Sequence, residues 1–216
     1  METTADALLF DNDGTLLSSI ESVYRCWTRW AQEYGITADD FAGVTLHGRT
    51  TPEIVADLLP AERVGEAVAR IDRLEVEDVA NGGITVLPGT ARLLAALPEG
   101  SWAVVTSATR RLAGARLAAV GIRPPLLIAG DDVTRGKPDP EPFLLAAGKL
   151  GADPARCVVF EDAPAGLAAG RAAGMRTVAL TTTHQAHELT ADAVVDDLSA
   201  VSVLATAAGL RITAGA

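Results

Sequence analysis

Short apolar runs recur along this chain at Ala7–Phe10, Trp102–Thr106, Leu126–Ala129, Cys157–Phe160, Thr177–Leu180 and Ala193–Val195. They are brief, rich in Val and Leu, and closed by Gly, Pro, Asp or Thr, as strands buried on both faces of a parallel sheet are. From residue 102 onward, helical patterns alternate with them, over about 109–119, 139–150, 163–173 and 198–207. This alternation predicts an α/β protein with a Rossmann-like parallel sheet and right-handed crossovers. The tail Arg211–Ala216 is expected to fray.

One connection breaks the rhythm. About ninety residues separate the first run from Trp102, where a crossover needs about a dozen. Most of that stretch is helical in pattern. Ser18 and Glu21 have capping-box spacing and open a helix running to about Tyr34. Thr50, Pro52 and Glu53 open a second. Val64, Val68, Ile71, Leu74 and Val79 mark a third over 61–80. The expected organisation is a core domain of residues 1–16 and 86–216 carrying an inserted α-helical domain of residues 17–85. The chain would cross between them at Leu16–Ser18 and Thr85–Gly89.

Composition narrows the functions. The chain has 216 residues, 49% of them hydrophobic, and a formal net charge of −10. That charge argues against a nucleic-acid partner and against a polybasic membrane patch. No apolar run is long enough for a bilayer span, and no basic segment precedes an apolar core at the N-terminus. Cys26 and Cys157 lie in apolar surroundings without metal or redox spacing, and read as buried free thiols. A cytoplasmic monomer is expected. The chain holds two lysines, Lys137 and Lys149, so their placement is informative.

The most informative segment is Asp11-Asn12-Asp13-Gly14-Thr15, directly after the first run. Alternate residues of an extended chain point the same way, so Asp11 and Asp13 can converge on one small volume. Two carboxylates held that close call for a cation or a shared proton. Taken alone, the segment equally fits an Asx turn. Ligands of open parallel sheets bind beyond the carboxyl ends of the strands, and polar residues collect at those ends: Thr106-Ser107, Glu161-Asp162, and Lys137 within Gly136-Lys137-Pro138-Asp139-Pro140. Separately, Thr106-Ser107 and Asp162 suit helix caps and Lys137 suits an exposed surface. Together they suit phosphoryl transfer. Mg²⁺ can neutralise repulsion between a phosphate and a carboxylate nucleophile. Thr106 and nearby backbone N–H groups can hold phosphoryl oxygens. Lys137 can act as a compact positive charge. One carboxylate can attack phosphorus while the other moves the protons.

These segments, in this order and over nearly the whole chain, resemble the haloacid dehalogenase superfamily phosphatases with an α-helical cap. The resemblance implies a Rossmann-like core, Asp11 as nucleophile and Asp13 as general acid/base. It implies Mg²⁺ held by the Asp11 carboxylate, the Asp13 carbonyl and Asp162, with Glu161 adjacent. It also implies Thr106 and Lys137 in catalysis, with Asn12, Ser107 and Ala108 completing the phosphate-binding set. Asn12 departs from an apolar residue common in the superfamily, and its side chain is expected to point away from the metal. Ser18 departs from a frequent Asp, in a role where it can still cap the helix.

Trp102-Ala-Val-Val-Thr-Ser, Gly136-Lys-Pro-Asp-Pro-Glu-Pro and Val159-Phe-Glu-Asp-Ala-Pro-Ala-Gly166 are similar to small sugar- and polyol-phosphate phosphatases, as is His47-Gly48-Arg49-Thr50. The expected substrate is therefore a small phosphorylated sugar or polyol. A β-phosphoglucomutase-like hexose-phosphate mutase is the rival reading, because it shares core and cap; an inactive phosphosugar-binding module is a third. The metal-suited carboxylates argue against a dehalogenase, and the absence of lysine from 16–86 argues against a Schiff-base phosphonoacetaldehyde hydrolase. His47 and Arg49 are assigned to a specificity loop facing the site. Trp27 and Trp30 are assigned to the cap's own core, and His184 and His187 to a solvated turn rather than a zinc site.

Overall fold

The computed structural model describes residues 1–41, 43–44 and 50–215. Six parallel strands form the main sheet in the order β6-β5-β2-β7-β8-β9: β2 (Ala7–Phe10), β5 (Trp102–Val105), β6 (Leu127–Ile128), β7 (Cys157–Glu161), β8 (Arg176–Leu180) and β9 (Ala193–Val195). β2 lies in the middle, between β5 and β7. Helices α5 (Thr90–Ala95), α6 (Arg110–Ala119), α7 (Glu141–Leu150) and α8 (Pro164–Ala172) belong to the same part of the fold.

The pleat explains why the strands read as unbroken apolar runs. Leu8 and Phe10 enter one core with Val104, Val158 and Phe160, and the Phe10 and Phe160 rings stack 4.8 Å apart. Ala7 and Leu9 enter the opposite core with Val105, Val159 and Phe143. Both faces are covered, so neither carries polar alternation.

The expected helix over 198–207 and the frayed tail are corrected. Leu198–Ala200 is a single 3-10 turn, after which β10 (Val201–Thr206) and β11 (Gly209–Ala214) form an antiparallel hairpin. β1 (Glu2–Ala5) pairs with β11 to complete a three-stranded sheet. The helical reading followed the Ala and Leu content of this segment; burial decides otherwise. Leu210, Ile212 and Ala214 alternate with exposed residues and pack into the first core. That period-2 pattern is the signature of a half-buried strand.

Between β2 and β5 the chain forms α1 (Ile20–Tyr34), α2 (Ala38–Phe41), α3 (Thr51–Leu58) and α4 (Ala61–Asp78). They close around their own apolar cluster of Cys26, Trp27, Trp30, Ile54, Val55, Ala67, Ile71 and Leu74. Trp30 donates its indole N–H to the Ala67 carbonyl at 3.0 Å. The strands leading in and out, β3 (Leu17–Ser18) and β4 (Thr85–Val86), pair as a two-stranded ribbon. That pairing holds Ser18 extended, so it does not cap α1. Ser19 takes the N-cap position and makes no side-chain cap bond. At α3 the Glu53 carboxylate accepts from the Thr50 N–H at 2.9 Å and the Thr50 hydroxyl at 2.8 Å.

Ile212 is fully buried at the centre of the small sheet, opposite Thr3 on one side and Val203 on the other. Ile212→Ala should cost about 2–5 kcal/mol, read as a lowered urea midpoint at unchanged m-value. A tail outside the core would show no change.

Candidate active site

The site lies where β2, β5 and β7 end. β2 runs straight into Asp11, whose N–H donates to Phe160 O of β7 at 3.0 Å. The chain then turns: the N–H groups of Leu16 and Leu17 donate back to Asn12 O at 2.9 and 3.1 Å. Gly14 allows this turn, with φ +93°. A Cβ there would also stand 2.3 Å from Asp162 Oδ2, so a side chain is excluded by both backbone and space.

Four charged groups converge beneath the loop. Asp11, Glu161 and Asp162 are all buried, with one carboxylate oxygen from each within 4.8 Å of the others. Lys137 is buried among them, far from the exposed position a lone lysine usually takes. Its ammonium donates to Asp11 Oδ1 at 2.6 Å, Glu161 Oε1 at 2.7 Å and Val105 O at 2.8 Å. All three of its N–H bonds are used.

The two adjacent carboxylates of β7 differ. Glu161 is turned back: Oε2 accepts from the N–H groups of Asp162 and Ala163, both at 3.0 Å, while Oε1 meets Lys137. Gly166 leaves room for it, since a Cβ there would lie 1.7 Å from Oε1. Asp162 is oriented by hydroxyls, from Thr15 to Oδ1 at 3.2 Å and from Thr183 to Oδ2. Burial, then the Glu161 charge, pushes the Asp162 carboxyl up to about 7. Burial likewise raises Asp11 well above the usual carboxylate range, against the opposing pull of Lys137. Three buried carboxylates facing one buried ammonium form a donor set short of positive charge, and an oxygen-seeking cation fits it.

Thr106 and Ser107 do not cap the following helix. Thr109 does, accepting from Leu112 N at 3.3 Å. Thr106 is buried at the end of β5, and its hydroxyl oxygen accepts the Ala108 N–H at 3.2 Å. Asp162 is not a cap either, since Ala163 holds that position at α8. Asp11, Asp13, Thr106, Ser107, Ala108, Lys137, Glu161 and Asp162 all line one cavity of about 520 Å³. Asn12 lies beneath it, fully buried, with its amide donating to Asp13 Oδ2 at 3.1 Å. His47 and Arg49 lie outside the described residues. Of the two tryptophans in the helical cluster, Trp27 also lines the cavity.

Several residues of the site escaped the sequence reading. Arg116 of α6 is buried, 3.1 Å from Asp13 and 3.2 Å from Glu75 of α4. Thr109 donates to Asp72, also of α4, at 2.7 Å. A signal existed: Arg116 follows Leu112 by four residues and Glu75 follows Ile71 by four, so each charge sits on an apolar stripe. Thr183 gave none, because its loop position carries no spacing. His184 Nδ1 lies 2.9 Å from the Thr183 hydroxyl. Among the described residues, neither His184 nor His187 joins a group of three metal-ligating side chains.

Asp11 backed by Lys137, Thr106 at the neighbouring strand end and the acidic pair Glu161-Asp162 thus gather on one cavity at the carboxyl edge of the sheet. The chain belongs to the haloacid dehalogenase-like hydrolases, whose family model matches residues 5–174, and it is a phosphoric monoester hydrolase. It is 38% identical over 176 residues to hexitol phosphatase A of Escherichia coli, covering 80% of this chain and 81% of that protein. It is 34% identical over 232 residues to 2-deoxyglucose-6-phosphate phosphatase 1 of Saccharomyces cerevisiae, covering 94% and 92%. CbbY from Rhodobacter sphaeroides, solved in complex with phosphate, superposes with a TM-score of 0.75 at 25% identity, covering 90% of this chain and 95% of that one.

Gly14→Ala should destabilise the protein by about 1–3 kcal/mol through backbone strain and abolish phosphatase activity by displacing Asp162. Urea denaturation and phosphate release check both parts.

Proposed function

We propose that the protein is a Mg²⁺-dependent phosphatase acting on small sugar or polyol phosphate monoesters through an aspartyl phosphate on Asp11. The observation that carries this reading is the buried constellation of Asp11, Lys137, Glu161 and Asp162 lining a cavity of about 520 Å³. The substrate class is taken from the relatives named above. The helices 20–81 act as a cap over the core, and their cluster gives the cavity its apolar wall of Val23, Trp27, Ile54 and Val68.

Asp11, the Asp13 carbonyl and Asp162 would hold Mg²⁺. When bound, it supplies positive charge that lets a carboxylate and a phosphate approach each other. Asp11 presents Oδ1 to Lys137, which fixes the carboxylate and screens it from Glu161. The other Asp11 oxygen attacks phosphorus. The P–O bond to the substrate breaks, and the leaving oxygen takes a proton from the Asp13 carboxyl. Water then attacks the aspartyl phosphate and gives a proton to the Asp13 carboxylate. Thr106 and Ser107, at the end of β5, hold phosphoryl oxygens. Glu161, with both oxygens committed to Lys137 and the backbone, is a positioning group rather than a metal ligand. The two thiols, buried and raised to about 12 and about 11, suit a reducing cytoplasm. Among the described residues no helix is long and apolar enough to cross a membrane.

The test is a phosphate-release screen over hexitol phosphates, 2-deoxyglucose 6-phosphate and glycerol 1-phosphate, with Mg²⁺ and with EDTA. Asp11→Asn should remove turnover while leaving the thermal transition in place, and substantial residual activity would refute the mechanism. Isomerisation of a hexose phosphate without release of phosphate would favour a mutase instead.

Mg²⁺ binding is expected to depend on pH. With its carboxyl at about 7, Asp162 is neutral below that value and must lose a proton to ligate. With Asp11 raised as well, the apparent Mg²⁺ affinity should rise with pH through the neutral range and fall in acid, by calorimetric titration. In the same titration Asp162→Ala should weaken binding more than Glu161→Ala, and the reverse order would overturn the ligand assignment.

A further inference from the structure

A second buried cation lies beside the first, and the chemistry above leaves it without work. Arg116 is 4% exposed, on the buried stripe of α6 with Leu112 and Leu117. One guanidinium nitrogen stands 3.1 Å from Asp13 Oδ1 and another 3.2 Å from Glu75 Oε1. Among the described residues, its Nε and Asp13 Oδ1 are buried without a hydrogen-bond partner. Glu75 is 5% exposed on α4, and it too faces the cavity. Taking an arginine and a glutamate out of water is costly, and a hydrophobic pair of similar volume would give equal or greater stability. The arrangement is therefore better explained by what it holds than by stability.

It holds Asp13. The Asp13 side chain is partly exposed, at 24%, on a loop after a strand rather than in the sheet. Among the described residues, its side chain accepts a hydrogen bond from the Asn12 amide, which accompanies it on the same loop. The guanidinium stands between two carboxylates on different elements, within ion-pair distance of both, and hydrogen-bonds the Glu75 one. Glu75 extends that grip to the helical insert, and Asp72 of the same helix ties to Thr109 at the start of α6. We infer that Arg116 is a positioning residue that aims the Asp13 carboxyl at the leaving-group oxygen, and that Glu75 makes this aim depend on α4 being seated against α6. Proton transfer then matures only when the insert covers the cavity, so a phosphorylated Asp11 meets water under a closed roof. This inference rests on the reading of Asp13 as general acid/base.

The test uses two substrates that differ in their need for a proton. Glycerol 1-phosphate leaves as an alkoxide and requires protonation from Asp13. p-Nitrophenyl phosphate leaves as a stabilised phenolate and does not, so its kcat/KM reports attack by Asp11 alone. General acid–base catalysis is worth about 10²–10⁴-fold. Arg116→Lys, which keeps charge but loses the planar fork, should lower kcat/KM for glycerol 1-phosphate at least tenfold. The value for p-nitrophenyl phosphate should change less than threefold. Rapid mixing of this variant with p-nitrophenyl phosphate should show a burst of about one nitrophenolate per enzyme, because removal of the water proton has become slow. Glu75→Gln, a gentler change that keeps volume and an acceptor oxygen, should show the same split at smaller size. It carries the test where Arg116→Lys does not fold. Equal losses on both substrates, or no loss on either, would overturn the inference. Asp13→Asn in the same assays separates the two levels. If it splits the substrates and the Arg116 and Glu75 variants do not, only the positioning role falls. If Asp13→Asn itself shows no split, the general acid/base reading falls and the positioning role with it.

Discussion

The site turns on one electrostatic problem: three carboxylates are buried together, and the single ammonium among them bonds only two, Asp11 and Glu161. Like charges in a low dielectric repel strongly, and burial alone drives carboxyls toward protonation. The fold meets this by distributing support. Glu161 is satisfied by two backbone N–H groups and Lys137, Asp162 by two hydroxyls, and Asp11 by Lys137 and its place at the end of the central strand. What remains is a local deficit of positive charge beside the cavity, which suits an oxygen-seeking cation. Two glycines keep the assembly compact, because a Cβ at Gly14 would strike Asp162 and one at Gly166 would strike Glu161.

The parallel sheet makes that concentration possible. Adjacent strands β5, β2 and β7 end at the same edge, so Thr106, Asp11 and Glu161-Asp162, about fifty residues apart in sequence or more, become neighbours. Arg116 and Glu75 extend the same logic upward. They carry a polar connection from the floor to the helical insert, across a boundary that apolar contacts alone would leave free to slide.

The strands of the main sheet were legible because burial on both faces leaves nothing but apolar residues, and Ala7–Phe10 or Ala193–Val195 could be read directly. The site was legible for a related reason: charges at the ends of such runs have few structural explanations, and their competing roles as caps turned out to belong to Thr109 and Ala163. Two kinds of feature were hidden. The β10–β11 hairpin has a helix-like composition, and its Leu210, Ile212, Ala214 alternation is short enough to pass for a tail. Ser18 had the right spacing for a cap, yet pairing with Thr85 overrode it, as tertiary contacts override local propensity. Arg116 and Glu75 were visible only as charges on apolar stripes, and their partnership depends on how two separately folded clusters meet. Thr183 reaches Asp162 from the loop after β8, and no one-dimensional pattern announces such an approach.

The distribution of charge also bears on what the cavity admits. The chain carries a net charge of −10, which repels a phosphate dianion on approach. At physiological ionic strength that repulsion is screened beyond about 8 Å. Recognition must therefore come from within the cavity, over distances where screening has little effect. There the protein sets Lys137 against Asp11 and Arg116 against Asp13, both inside the fold, whereas Lys149 lies exposed on α7. The insert sets Val23, Trp27, Ile54 and Val68 on the same cavity as Lys137 and the carboxylates, so the groups suited to a phosphate and those suited to its carrier stand on different parts of the fold.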